Sequence, residues 1–137
     1  MAVDLRRMRF LINREPAARF RVERAMARAT KTTAALSGMP RGGGVGNPVE
    51  RGASDLEAAR AALDAIRTEL NKMRVALRPM IAELEIPLQR LAMEMRYIDG
   101  YSVRELSYRL NYSEQHLFRV LSKAECEISA KDESNES

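Results

Sequence analysis

Residues 114–123, EQHLFRVLSK, hold side chains able to read duplex DNA. On a helix, Gln115, Arg119 and Ser122 project from the face opposite Leu117, Val120, Leu121 and Ala124, flanked by Glu114, His116, Phe118 and Lys123. In the major groove a Gln amide pairs bidentately with adenine, an Arg guanidinium with guanine, and a Glu carboxylate accepts from the cytosine amine. Lys123 suits a phosphate, as do Arg104 and Arg109 just upstream, and such contacts fix register without reading sequence. Phe118 is the exception, suited to a thymine methyl or to a contact with another protein. His116 has no second His or Cys nearby, so a base or phosphate contact, or simple exposure, is expected instead of a metal site. The bland alternative for the segment is a packed helix with a polar outer face.

A reading helix must be held out by what precedes it. Ser102 followed three residues later by Glu105 is a capping box, so a helix is expected from Val103, with Val103, Leu106 and Leu110 on its apolar face. Ser107 supplies the small side chain that two steeply crossing helices need. Asn111 suits the left-handed backbone of a sharp turn. Tyr112 can plug that turn, and Ser113 can cap the next helix. Two short helices so joined form a helix-turn-helix. Pro87 opens the preceding helix, PLQRLAMEMRYI, and Asp99-Gly100 ends it.

Further upstream lies an unbroken heptad seam: Leu56, Ala59, Leu63, Ile66, Leu70, Met73, Leu77, Met80 and Leu84. A helix over 54–84, capped by Ser54 or Asp55, would run about 46 Å at 1.5 Å per residue. Pro79 removes one backbone donor, so a kink is expected between Val75 and Pro79. The seam must be buried against the first helix folded back or against a second copy of the chain. A homodimer is favoured, with Leu56, Leu63, Ile66, Leu70, Met73 and Leu77 as its oligomerisation residues.

Residues 1–36 make a basic helix whose clearest periodicity runs from about Arg14 to Leu36, with Pro16 in its first turn and a partial stripe of Ala18, Val22, Ala25, Ala29 and Leu36. Residues 37–53 are a Gly/Pro-rich connector. They lack the Lys-Ser/Thr pair and the flanking strand of a nucleotide-binding loop, and read as a hinge. Residues 54–85 are the heptad helix and 86–129 the helix-turn-helix domain. The acidic tail, 130–137, is expected to be disordered.

The 137-residue chain has 5% aromatics and 31% charged residues, a composition that favours an all-α fold of elongated helices. Its net charge of +4 is concentrated at the front, where residues 1–53 carry eleven Lys or Arg against four Asp or Glu. That balance suits nucleic-acid phosphates, or simply a solvated helix face. The lone Cys126 excludes an internal disulfide, suits a reducing cytoplasm, and is expected to be a small buried or half-buried side chain. No apolar run approaches membrane-spanning length. No nucleophile has a base set beside it, so no enzyme, cofactor or metal is expected.

The segment RLAMEMRYIDGYSVRELSYRLNYSEQHLFRVLSKA resembles region 4 of sigma factors. The whole layout, with a basic front, SGMPRGGG, a long helix and the C-terminal reader, resembles phage late transcription activators of the ArpU/RinA type over about residues 35–127. The resemblance implies a regulator that activates phage structural or packaging genes in a bacterial host's cytoplasm. It carries Ser113, Glu114, Gln115, His116, Arg119 and Lys123 over as recognition-helix positions. Ser107 and Asn111 depart mildly from the sigma pattern, and Phe118 departs more, in a normally polar position. Two alternatives remain: a small terminase-like DNA-recognition subunit, and a coiled-coil adaptor binding host RNA polymerase.

Overall fold

Every residue of the heptad seam is buried or half-buried within one chain, with Leu63, Leu70, Leu77 and Leu84 almost wholly covered. In the computed structural model, which describes residues 3–36 and 48–136, the protein is all-α. The helices are α1 (Leu5–Leu36), α2 (Pro48–Ala82), α3 (Pro87–Met93), α4 (Val103–Leu110) and α5 (Glu114–Glu136). α3 widens into a π-helical turn at Glu94–Ile98. Of the hinge expected over residues 37–53, residues 37–47 lie outside the described residues, as does Ser137, and residues 48–53 are helical as the start of α2.

Two compact units divide the chain: Met1–Ile12 with Glu69–Ser137, and Asn13–Thr68. In the first, the opening turns of α1 bury Leu5, Met8, Leu11 and Ile12. The same unit buries Leu70, Leu77 and Ile81 of α2, then Leu84, Ala92, Met93, Tyr97, Leu106, Leu117, Leu121, Ala124 and Ile128. Full burial of one such aliphatic side chain contributes about 1.5–3 kcal/mol, so this set is the main source of cohesion. α5 packs on α3 and α4. At the edge, Arg7 grips Glu69 with two hydrogen bonds, from Nε at 2.9 Å and Nη2 at 3.0 Å, which hold the Glu69 carboxyl below its usual range.

The second unit has a thinner interior. Ala18, Ala25 and Leu63 are buried, while Val22, Ala29, Leu56, Ala59 and Ile66 are half-buried. Small residues of both helices, Ala17, Ala18, Ala59 and Ala62, line a small recess here, and Arg67 of α2 donates to Glu15 of α1 at 3.2 Å.

Several boundaries differ from those expected. α1 starts at Leu5, well before Arg14, because Asp4 caps it: the Arg7 amide donates to the Asp4 carboxylate at 3.0 Å. Pro16 therefore sits in the helix interior, where it has no N–H for the Ile12 carbonyl, and the division between the units falls at Ile12. α2 starts at Pro48, six residues before Ser54, since proline presets the backbone of a first helical position. α2 continues through Pro79 to Ala82, and its end is closed by Arg90, whose Nη1 donates to the Leu84 carbonyl at 2.5 Å.

The acidic tail is also helical, α5 running on to Glu136. Buried Ile128 and Asp132 continue the inward face of Leu117, Leu121 and Ala124, and the Asp132 carboxylate accepts from the Val3 amide at 2.9 Å. Cys126 lies off that face and is exposed, contrary to the burial expected for it.

Candidate nucleic-acid interface

The link between α4 and α5 is built from short-range hydrogen bonds that the side-chain types dictate. The Glu105 amide donates to Ser102 Oγ at 3.2 Å and the Ser102 amide donates back to Glu105 Oε1 at 3.5 Å, completing the capping box of α4. At the other end Asn111 takes φ 59° and ψ 35°, and no other non-glycine residue among those described has a positive φ. A left-handed residue there turns the chain sharply after one hydrogen bond, from the Asn111 amide to the Ser107 carbonyl at 3.1 Å. Ser107 is half-buried and has a second task besides its size. Its hydroxyl donates to the Tyr112 carbonyl at 2.6 Å, fixing the exit of the turn. Ser113 then caps α5, its Oγ accepting from the His116 amide at 3.1 Å.

So held, α5 sorts its residues by face. Leu117, Leu121 and Ala124 are buried and Val120 is half-buried, while Glu114, Gln115, His116, Phe118, Arg119, Ser122 and Lys123 are exposed. Glu114, Gln115, Phe118, Arg119, Ser122 and Lys123 line one continuous surface. The side chains of Gln115, Arg119, Ser122 and Lys123 make no hydrogen bond or ion pair among the described residues, which leaves their polar groups available.

The remaining expected site residues are arranged differently. Ser113 spends its hydroxyl on the cap, and the His116 ring packs against Tyr112 with centroids 5.1 Å apart. Arg104 and Arg109 are exposed on α4, with the Arg109 guanidinium 4.4 Å above the Tyr101 ring. Of the oligomerisation set, Leu63, Leu70 and Leu77 are buried within the single chain, and Leu56, Ile66 and Met73 keep part of their surface exposed.

Behind α5 lies a polar cluster that periodicity does not reveal. Tyr97, fully buried on the π-helical turn, receives a hydrogen bond from Arg9 of α1 at 2.8 Å and donates one to Glu125 of α5 at 2.5 Å. Arg9 and Glu125 also pair directly at 3.4 Å. Burial, reinforced by the Glu125 acceptor, pushes the Tyr97 hydroxyl well above its ordinary pKa. From the other side, Arg74 Nε donates to the Tyr97 carbonyl at 2.8 Å. The buried guanidinium of Arg96 donates to the Tyr101 carbonyl at 3.1 Å, so the wide turn is tied to the start of α4. The residues themselves are ordinary in type, and what joins them is a set of long-range contacts. The one local hint is the pair Arg96-Tyr97 directly before Asp99-Gly100.

Residues 43–129 match the family model DUF1492, described as a protein of unknown function, over well over half of the chain. The chain belongs to this family. DUF1492 is phage-associated, and its match takes in α2, α3, α4 and most of α5. α1 lies outside the match, although its first turns supply core residues to the same unit as α5. No curated protein and no solved structure matches the chain.

Proposed function

We propose that this DUF1492 protein is a sequence-specific DNA-binding transcriptional regulator, with α4 and α5 acting as a helix-turn-helix of the sigma region 4 kind. The observation that carries the reading is the uncommitted polar face of α5, raised on a turn in which every capping group is satisfied. Holding a rigid helix with the outer face of its first two turns in solvent is the requirement for entering a major groove. Gln115 reads adenine, Arg119 reads guanine, and Glu114 selects cytosine. Lys123, Arg104 and Arg109 position the phosphates, with Ser113, His116 and Ser122 at the margins of the contact.

The phage association of the family supports the more specific reading: an activator of phage late genes of the ArpU/RinA type, working in the cytoplasm of a bacterial host beside host RNA polymerase. A homodimer is part of the proposal. Its support is the alternate seam row, Ala59, Ile66, Met73 and Met80, which remains half-buried where a second hairpin could complete the cover.

The experiment is selection of binding sites from random duplex DNA in moderate salt, with wild type and Arg119→Ala in parallel. A motif that relaxes at one position in the variant is the expected result, at a cost of about 1–3 kcal/mol for removing the bidentate pair. Paired half-sites about 34–36 Å apart would give the dimer geometry. A second reading, an adaptor that binds another protein through α5, is favoured by one observation, the 55% exposure of Phe118. It predicts that neither protein enriches any sequence.

A further inference from the structure

An exposed phenylalanine in the middle of a hydrogen-bonding face calls for an explanation in terms of what that face meets. Phe118 lies one turn after Glu114 and Gln115, beside Arg119, and one turn before Ser122, and it shares their surface. Its neighbours on that surface are polar side chains, so more than half of the ring meets solvent instead of an apolar partner. It is anchored from below all the same, since Phe118 also borders a small recess with Val103, Leu121 and Arg96. The ring is therefore steadied on one side and offered to solvent on the other. The edge of a base pair in the major groove presents hydrogen-bond donors and acceptors at nearly every position, and its apolar group is the C5-methyl of thymine.

We infer that Phe118 is a specificity-determining residue that selects thymine by its methyl group, at a base-pair step adjacent to the one contacted by Arg119. The inference rests on the DNA-reading assignment of α5 proposed above. Gln115 and Arg119 recognise by hydrogen bonds, which a hydrated wrong base can partly mimic. Phe118 adds an apolar test on the same stretch of groove, and a base without the methyl leaves its ring against water. Ser122, small and one turn further on, leaves room for the methyl to approach the ring.

The test uses the full chain and the duplex obtained by selection. Each thymine in turn is replaced by deoxyuridine, which pairs identically and lacks only the methyl, and affinity is measured by fluorescence anisotropy for wild type and Phe118→Ala. One position should weaken wild-type binding about fourfold, the expectation for one buried methyl. The same replacement should leave Phe118→Ala unchanged. Because the side chain is more than half exposed, the variant should retain wild-type helicity, which circular dichroism checks. A selected motif with no methyl-sensitive position, or one whose sensitivity survives in Phe118→Ala, overturns this inference and leaves the DNA-reading assignment standing. Failure of wild type to select any motif overturns both.

Discussion

Replacing Tyr97 by Phe deletes one oxygen atom from the first unit and leaves the buried ring in place, so the effect isolates a hydrogen-bonded cluster from packing. That oxygen takes a bond from Arg9 and gives one to Glu125, both charged. Hydrogen bonds to charged groups contribute about 1.5–3 kcal/mol each, which would set an upper value near 3–6 kcal/mol for two. The actual loss should be smaller. The Arg9 and Glu125 side chains are 36% and 25% exposed and already lie 3.4 Å apart, so they can close on each other and on water once the hydroxyl is gone. We expect about 2 kcal/mol, read as a lower urea midpoint with an unchanged slope, followed by far-ultraviolet circular dichroism. The same cluster predicts a pH signature. The folded state holds the Tyr97 proton more tightly than the unfolded chain, whose tyrosine titrates near pH 10. Stability from this source is therefore full below about pH 10 and is lost as the pH rises above that value. Wild type should lose more stability than Tyr97→Phe between pH 9 and 11. A Tyr97→Phe protein within about 0.5 kcal/mol of wild type, with the same alkaline profile, would show that the cluster is solvated and contributes nothing, and would refute the reasoning.

Two further perturbations test the turn and the basic helix. At Asn111, with its φ of 59°, Gly should be tolerated and Val should cost about 1–2 kcal/mol, seen as a lowered melting temperature; equal stability of the two variants would mean the turn relaxes without a left-handed residue. Arg21 and Arg28 are exposed on α1, and Arg21 edges a shallow groove floored by Ala17, Ala18, Ala59, Ala62 and Ile66. If they track phosphates, Arg21→Gln with Arg28→Gln should flatten the salt dependence of DNA binding by about 0.9 for each phosphate no longer neutralised, equally for all sequences, whereas an unchanged slope assigns α1 to structure alone. Deleting α1 would not serve, because Leu5, Met8, Leu11 and Ile12 belong to the core of the first unit.

The seam of α2 and the parts of the α4–α5 link were legible because each depends on neighbours three or four positions away. The capping box of Ser102 and Glu105, the left-handed Asn111 and the Ser113 cap follow from side-chain chemistry within one turn, and all three form. The start of α1 was less legible. Leu5, Met8, Leu11 and Ile12 do carry a helical spacing, but Arg6, Arg7 and Arg9 interrupt it and Pro16 follows, which together suggest a helix that begins later. The order of residues 130–136 could not be read locally, since what helps to hold them is a hydrogen bond between Val3 and Asp132. The Tyr97 cluster likewise joins positions 9, 97 and 125, and no short window contains it. Of the exposed face of α5, residue types and exposure were legible. The diversion of Ser113 to the cap and of His116 to Tyr112 needed three-dimensional geometry.

The bond from Val3 to Asp132 joins positions 129 apart in the chain. A ribosome adding about 5–20 residues per second separates their synthesis by roughly 6–26 s. For most of that interval Leu5, Met8, Leu11 and Ile12 have been synthesised while the α5 residues of their unit, Leu117, Leu121 and Ile128, do not yet exist. The first unit is thus assembled late, from parts of the nascent chain made far apart in time. The all-helical make-up of the protein favours rapid local folding, yet this closure depends on contacts at very large sequence separation. Premature termination before Leu117 would leave four apolar side chains of α1 without these α5 companions, a natural mark for proteolysis of incomplete copies.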